Sequence, residues 1–346
     1  MHPKPDDEAQ RTPTRVPVEM LNGAAFPSRD ALTIVFAHIA YRGAEELAAR
    51  RTGVAHFEVR TLEELERRAH EADVLVVSGL WRNTLLASAP KLRFVQSFSA
   101  GTDQFDKAAF VKRGVRLASA QGTNERAVAE HAIALMLALT RQLHLARDNQ
   151  RAPSWRGMIG DRALRERELG GKTLVIVGLG RIGTRLAALA RVFDMRIIGV
   201  RRIARPEPEV ADQVVGQADL AQALARADVV ALTCPLTRET EGLISAPALT
   251  ALKPGALLIN VARGRVIDEA EVLAALADGR VRAAALDCFP EEPLPAESPF
   301  WTLPNVLITP HTAGETERYE KNVVDILLDN IERLLRGETA LRNQVV

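Results

Sequence analysis

Residues 172–190 read KTLVIVGLGRIGTRLAALA, and this stretch decides the fold. A largely apolar run, Thr173 to Val177, has the look of a buried strand, and an Ala/Leu-rich helical pattern follows at once. Between them stand Gly178, Gly180 and Gly183 in G-x-G-x-x-G spacing. In that strand–turn–helix setting Gly178 permits the tight turn, Gly180 lets the backbone approach a pyrophosphate, and Gly183 lets helix and strand pack closely. The helix start at Arg181 and Ile182 offers unpaired N–H groups and the positive end of a dipole to phosphates. The alternative is a glycine turn without a ligand, which the flanking strand and helix make the weaker reading.

A site selecting NAD places an acid at the tip of the second strand, about 20 residues on, to hold the ribose 2′-OH. Here that strand is MRIIGV (195–200), and Arg201 and Arg202 follow it with no acid at the tip. A guanidinium binds a 2′-phosphate that a carboxylate would repel. The expectation is therefore NADP(H) preference, with NAD(H) possible if both arginines are only solvated turn residues.

Outward from this unit the same alternation continues. Strand runs follow at DQVV (212–215), DVVALTC (228–234), ALLINVA (256–262), RAAALDC (282–288) and NVLITP (305–310). Before it lie LTIVF (32–36), VLVV (74–77), RFVQSF (93–98) and VRLAS (115–119). Helical stretches include 61–70, opened by the capping pair Thr61 and Glu64, and one opened by Asp268 and Glu271 and closed by Gly279. One long helix is predicted over about 125–149, and a final amphipathic helix over about 316–335. The fold class is α/β with two doubly wound domains: a flavodoxin-like substrate domain and a Rossmann dinucleotide-binding domain. The expected boundaries are 31–124 plus 313–346 for the first, discontinuous domain and 125–312 for the second. Residues 1–30 read as a loose lead-in, and their acids and prolines do not make a signal peptide.

The chain of 346 residues carries a net charge of +1, which argues against nucleic acid or an anionic membrane as the partner. No run approaches the ~18 apolar residues of a spanning helix. Cys234 and Cys288 form no CxxC or Cys/His spacing, so neither a disulfide framework nor a metal site is indicated. A cytoplasmic protein is expected.

Three segments carry polar residues just beyond buried strands: 259–276 with Arg263, 286–295 with Asp287 and Glu292, and 308–314 with His311. Ligands of open α/β sheets bind at that carboxyl edge. Each residue alone has a bland reading as a surface or loop group. Together they match ketone reduction: a histidine to give a proton, a carboxylate to orient it and favour its protonated form, and an arginine to hold a substrate carboxylate.

Four motifs in chain order, CPLTRETEGLI, NVARG, LDCFPEEPLP and PHTAG, resemble those of the D-isomer-specific 2-hydroxyacid dehydrogenase family, over nearly all of residues 70–345. The resemblance implies Arg263, Glu292 (rather than Glu291) and His311 as the catalytic set. It implies cofactor contacts at Asp287, with the nicotinamide carboxamide, and at Ala262, Cys234 and Pro235. It also implies a substrate-carboxylate nest at the Ala100 and Gly101 amides within SAGTDQFD (99–106). Trp81 in SGLWRN (78–83) either lines the pocket or packs in the core, and Arg82 shares the first alternative. Trp155 closes the site or plugs an interface. His131 and His144 are taken as packing or interface residues. The family implies a homodimer and a small 2-oxo/2-hydroxy acid substrate such as glyoxylate or hydroxypyruvate. The alternatives are a cofactor-sensing regulator akin to the co-repressors of this fold, or a phosphite-type dehydrogenase. A formate-oxidising role is disfavoured by Glu292 beside His311.

Overall fold

The computed structural model describes residues 26–346. Most of the expected lead-in, residues 1–25, lies outside them. What is described of it is ordered: a 3-10 turn spans Arg29–Ala31, and Phe26 packs partly buried on the first core. The chain divides into two compact units, one ending at Thr123 and resumed from Glu317 to Val346, the other spanning Asn124–Thr316.

The first unit contains β1 (Thr33–Ala37), α1 (Gly43–Ala49), β2 (Ala55–Val59), α2 (Leu62–Arg68), β3 (Val74–Val77), α3 (Leu85–Ser88), β4 (Phe94–Ser97), α4 (Lys107–Arg113) and β5 (Arg116–Ala118). Its strands form one parallel sheet in the order β2-β1-β3-β4-β5, the flavodoxin-like winding. Alternate strand residues feed opposite layers: Ile34 and Phe36 join one core, Val35 and Ala37 the other. Strand β2 escaped the sequence reading because it is an edge strand. His56 and Glu58 interrupt its apolar residues, and only Val59 is buried. Thr61 caps α2 as predicted, accepting from the Glu64 amide at 3.1 Å.

The second unit contains α5 (Glu125–Thr140), α6 (Leu143–Arg151), β6 (Thr173–Val177), α7 (Arg181–Val192), β7 (Arg196–Arg201), β8 (Gln213–Gly216), α8 (Leu220–Leu224), β9 (Val229–Leu232), α9 (Ala246–Thr250), β10 (Ala256–Asn260), α10 (Glu269–Ala277), β11 (Val281–Leu286) and β12 (Val306–Ile308). Its parallel sheet runs β12-β11-β10-β9-β6-β7-β8. The order reverses between β6 and β9, so a crevice opens at their carboxyl ends. Asp268 caps α10 through the Glu271 amide at 3.2 Å.

Two helices depart from the sequence reading. The expected single helix over 125–149 is broken: Gln142 sits at φ 54 between α5 and α6. The Thr140 carbonyl accepts from Arg167 N at 2.9 Å instead of continuing the helical ladder. Helix α5 buries a full face, including Ala129, Ala132 and Met136, whereas α6 buries no residue, so nothing holds the two in one register. The last helix, α11 (Tyr319–Leu335), begins three residues later than expected and lays Val323, Leu327 and Ile331 on the first unit's core.

Candidate active site

The site grows from the carboxyl edge of the second sheet. At the end of β6, Gly178 adopts φ +103, and a Cβ there would meet the Cys234 amide nitrogen at 2.5 Å. The close approach follows from the sheet order, since Cys234 follows β9, the neighbour of β6. Thr233 locks the pair by donating its hydroxyl to the Gly178 carbonyl at 2.8 Å. Gly180 caps α7, and Gly183 lies buried in its first turn. Burial pushes the Cys234 thiol up to about 11, so it acts as a small packing group beside Pro235.

Gly180, Arg181, Thr184, Arg185 and Arg201 line a cleft of ≈ 720 Å³ at this helix start. Arg181 is paired with Glu125 at 3.2 Å, and Ile182 is half-buried against the sheet. The dipole end, the clash-enforced glycine and an adjoining open cleft fit a dinucleotide. Arg201 is engaged differently from the sequence expectation. It donates from Nε to the Leu179 carbonyl at 2.8 Å and sets both terminal nitrogens on the Glu207 carboxylate. Arg202 is exposed.

The chemical groups sit beyond β10, β11 and β12. Asn260, fully buried at the end of β10, accepts from the Ala262 amide at 3.0 Å and donates to the Arg263 carbonyl at 3.1 Å. It thereby shapes the turn that presents Arg263. The next residue must be glycine: a Cβ on Gly264 would meet the Phe289 carbonyl carbon at 1.9 Å. That contact presses the Arg263 turn against the segment carrying Glu292, whose Oε1 accepts from the Phe289 amide at 2.9 Å. Asn260 and Gly264 were not singled out from sequence. The signal was present for Asn260, a polar residue in an otherwise apolar strand.

Glu292 Oε2 lies 2.8 Å from His311 Nδ1. This hydrogen bond raises the imidazole pKa above its ordinary value, against the effect of burial. Burial disfavours the Glu292 charge, but the bonds from His311 and the Phe289 amide prevail and hold its carboxyl below the usual range. The Arg263 charge bears on both partners. His311 retains 45% side-chain exposure, so its ring is reachable from solvent.

His311 stands at φ 55, a conformation that costs of order 1–3 kcal/mol in a residue other than glycine. Asp287, 2% exposed, holds the turn around it. One carboxylate oxygen accepts from the Thr309 hydroxyl at 2.6 Å and the Thr312 amide at 2.9 Å, the other from the Ala313 amide at 3.0 Å. Asp287 thus has a structural task beside any contact with a cofactor. Arg263, Asp287, Glu292 and His311 are brought together within this unit. Burial also pushes the Cys288 thiol up, which leaves it inert.

In the first unit, Ala100 and Gly101 lie half-buried in the irregular segment after β4. Among the described residues, no acceptor meets their amides. Trp81 is 3% exposed, its ring tilted against those of Phe105 and Phe110 at 5.2 Å each, with Nε1 donating to Asn83 at 2.8 Å. Arg82 turns back onto the Gly79 and Trp81 carbonyls. Trp155 is fully exposed on the segment after α6. Among the described residues, no helix is long and apolar enough to cross a membrane, and no cluster of three His, Cys, Asp or Glu could hold a metal.

Residues 133–313 match the family model described as D-isomer specific 2-hydroxyacid dehydrogenase, NAD binding domain. The chain is 36% identical, over 81% of its length, to a D-3-phosphoglycerate dehydrogenase of Methanocaldococcus jannaschii, but spans only 53% of that relative. It therefore covers about half the length of such relatives. It is 35% identical to the glyoxylate/hydroxypyruvate reductase B of Yersinia enterocolitica, covering 82% of this chain and 89% of the other. A solved D-isomer specific 2-hydroxyacid dehydrogenase family protein from Aeromonas salmonicida superposes with a TM-score of 0.80 at 32% identity, over 91% of this chain and 99% of that one.

Proposed function

The chain belongs to the D-isomer-specific 2-hydroxyacid dehydrogenase family, and from that premise we propose that it reduces a small 2-oxo acid to a 2-hydroxy acid at the expense of a nicotinamide cofactor. The observation that carries this reading is the 2.8 Å His311–Glu292 pair, with the Arg263 charge acting on both, on the same sheet edge as the glycine turn. Glyoxylate and hydroxypyruvate are the substrates of first choice.

A reduced nicotinamide, when bound, would supply the hydride for the carbonyl carbon. The protein's own part is to place and charge the groups around the carbonyl oxygen. His311, protonated and held at Nδ1 by Glu292, gives a proton from Nε2 to that oxygen. Glu292 keeps the ring oriented and stabilises its charge until the proton leaves. Arg263 binds the substrate carboxylate and polarises the carbonyl. In the opposite direction neutral His311 accepts the hydroxyl proton. We assign anion binding by a backbone nest to the Ala100 and Gly101 amides of the first unit.

The cofactor contacts we assign are Gly178, Gly180, Arg181, Ile182 and Gly183 to the phosphates, Cys234 and Pro235 to the adenosine, and Ala262 and Asp287 to the nicotinamide end. NADP(H) preference is assigned to Arg202 together with Arg201, Arg202 being the guanidinium with greater exposure. We further infer a cytoplasmic homodimer. Exposed Trp155 and Met158 after α6 support a partner there, and the free, buried Cys234 and Cys288 suit a reducing compartment. Light scattering that returns a monomer mass would overturn the dimer.

The decisive experiment follows oxidation of NADPH and NADH by the purified protein against a panel of small 2-oxo acids. Turnover of at least one is expected. Tight cofactor binding with no turnover of any would favour the cofactor-sensing alternative instead.

A further inference from the structure

His131, expected as a packing or interface residue, sets its ring on the turn that carries His311. On α5 its Nε2 lies 3.1 Å from the Thr309 hydroxyl oxygen and 3.7 Å from Asp287 Oδ1. The Thr309 hydroxyl has a single proton, and at 2.6 Å from a carboxylate oxygen, which can only accept, that proton points to Asp287. The Thr309 oxygen then receives from the imidazole, so Nε2 must carry hydrogen. The chain of donors runs from His131 to Thr309 to Asp287, and Asp287 in turn accepts the amides of Thr312 and Ala313. Thr309 is also fixed through its backbone, its amide donating to the Leu286 carbonyl at 3.1 Å and its carbonyl accepting from the His311 amide at 3.0 Å. His311 is thus bracketed on both sides by residues bound to one buried carboxylate.

We propose that His131, as the Nε2–H tautomer, is a positioning residue for the reaction: through Thr309 and Asp287 it holds the strained turn that presents His311 to Glu292 and to the substrate. The inference rests on the proposed hydride-transfer function only for its kinetic consequence; the tautomer and the donor chain stand without it. The side chain of His131 is 23% exposed, and its role is transmitted through a hydroxyl rather than through substrate contact. A misplacement of about 1 Å in a catalytic group lowers turnover by on the order of 10²-fold.

The test uses the full chain and four variants: His131→Phe, His131→Gln, Thr309→Val and Thr309→Ser. Imidazole 15N shifts of His131, assigned by their loss in His131→Gln, should show hydrogen on Nε2. A neutral ring protonated at Nδ1 would overturn the proposal, whatever the enzyme's activity. In turnover assays, His131→Phe and Thr309→Val should lower kcat about tenfold to a hundredfold with little change in cofactor Kd. Thr309→Ser and His131→Gln, which can still donate, should recover most of it. Equal kcat in His131→Phe and wild type, both folded by circular dichroism, would also overturn it. If wild type turns over no 2-oxo acid, the function reading fails and the 15N shifts alone decide the present one.

Discussion

Arg201 and Glu207 face each other after β7, with two guanidinium nitrogens on one carboxylate and the Arg201 Nε on the Leu179 carbonyl. A carboxylate therefore occupies the charge that the sequence reading reserved for a 2′-phosphate. For NADP(H) to bind there, the phosphate must displace Glu207 or use Arg202.

From this pairing, Glu207→Gln should raise the NADPH-to-NADH ratio of kcat/KM by roughly tenfold, as one charge-assisted contact becomes available to the phosphate. Arg202→Asp should move the ratio towards NADH. Steady-state kinetics with both cofactors decides, and a ratio unmoved in both variants removes the 2′-phosphate argument.

His311→Ala should lower turnover by on the order of 10²–10⁴ while leaving cofactor affinity near wild type, because a general acid is lost and the glycine turn is untouched. Turnover like that of wild type would sink the assignment of His311.

The pH dependence follows from the His311–Glu292 bond. The bond raises the His311 pKa, so the protonated form needed for reduction persists above the ordinary imidazole range and is lost as pH rises through the raised value. Oxidation of the hydroxy acid, which needs neutral His311, gains over the same interval. Glu292→Gln removes the main cause of the shift, so the alkaline limb of the reduction profile should move to lower pH. A limb that stays in place means that another group controls it.

Gly264→Ala places a methyl group into the Phe289 backbone. The segment must shift, at a cost of about 1–3 kcal/mol for overpacking, and the Arg263 and Glu292 turns shift with it. Denaturant titration should show lower stability, and kcat/KM should fall more than stability alone explains. A variant with unchanged midpoint and turnover would show that the two turns do not depend on each other.

Sequence alone determined the buried strands, though not the edge strand β2 or the break between α5 and α6, and it fixed which polar residues follow those strands. Long apolar runs bounded by glycine and capping residues can be little but buried parallel strands and their crossover helices. A polar residue just past such a strand must lie at the sheet's carboxyl edge. This is why Gly178, Arg263, Asp287, Glu292 and His311 were legible from spacing and resemblance. Tertiary structure alone decided which side chains meet. The His131–Thr309 contact joins residues 178 positions apart, and periodicity carries no information about such a pairing. The break at Gln142 depends on the distant Arg167 amide taking the Thr140 carbonyl. Trp81 became core because Phe105 and Phe110 close over it. Arg201 found Glu207, a partner on an irregular turn that no strand or helix pattern marks. Burial pattern is a local property of the chain, whereas hydrogen-bond partnership is settled only when remote segments pack together.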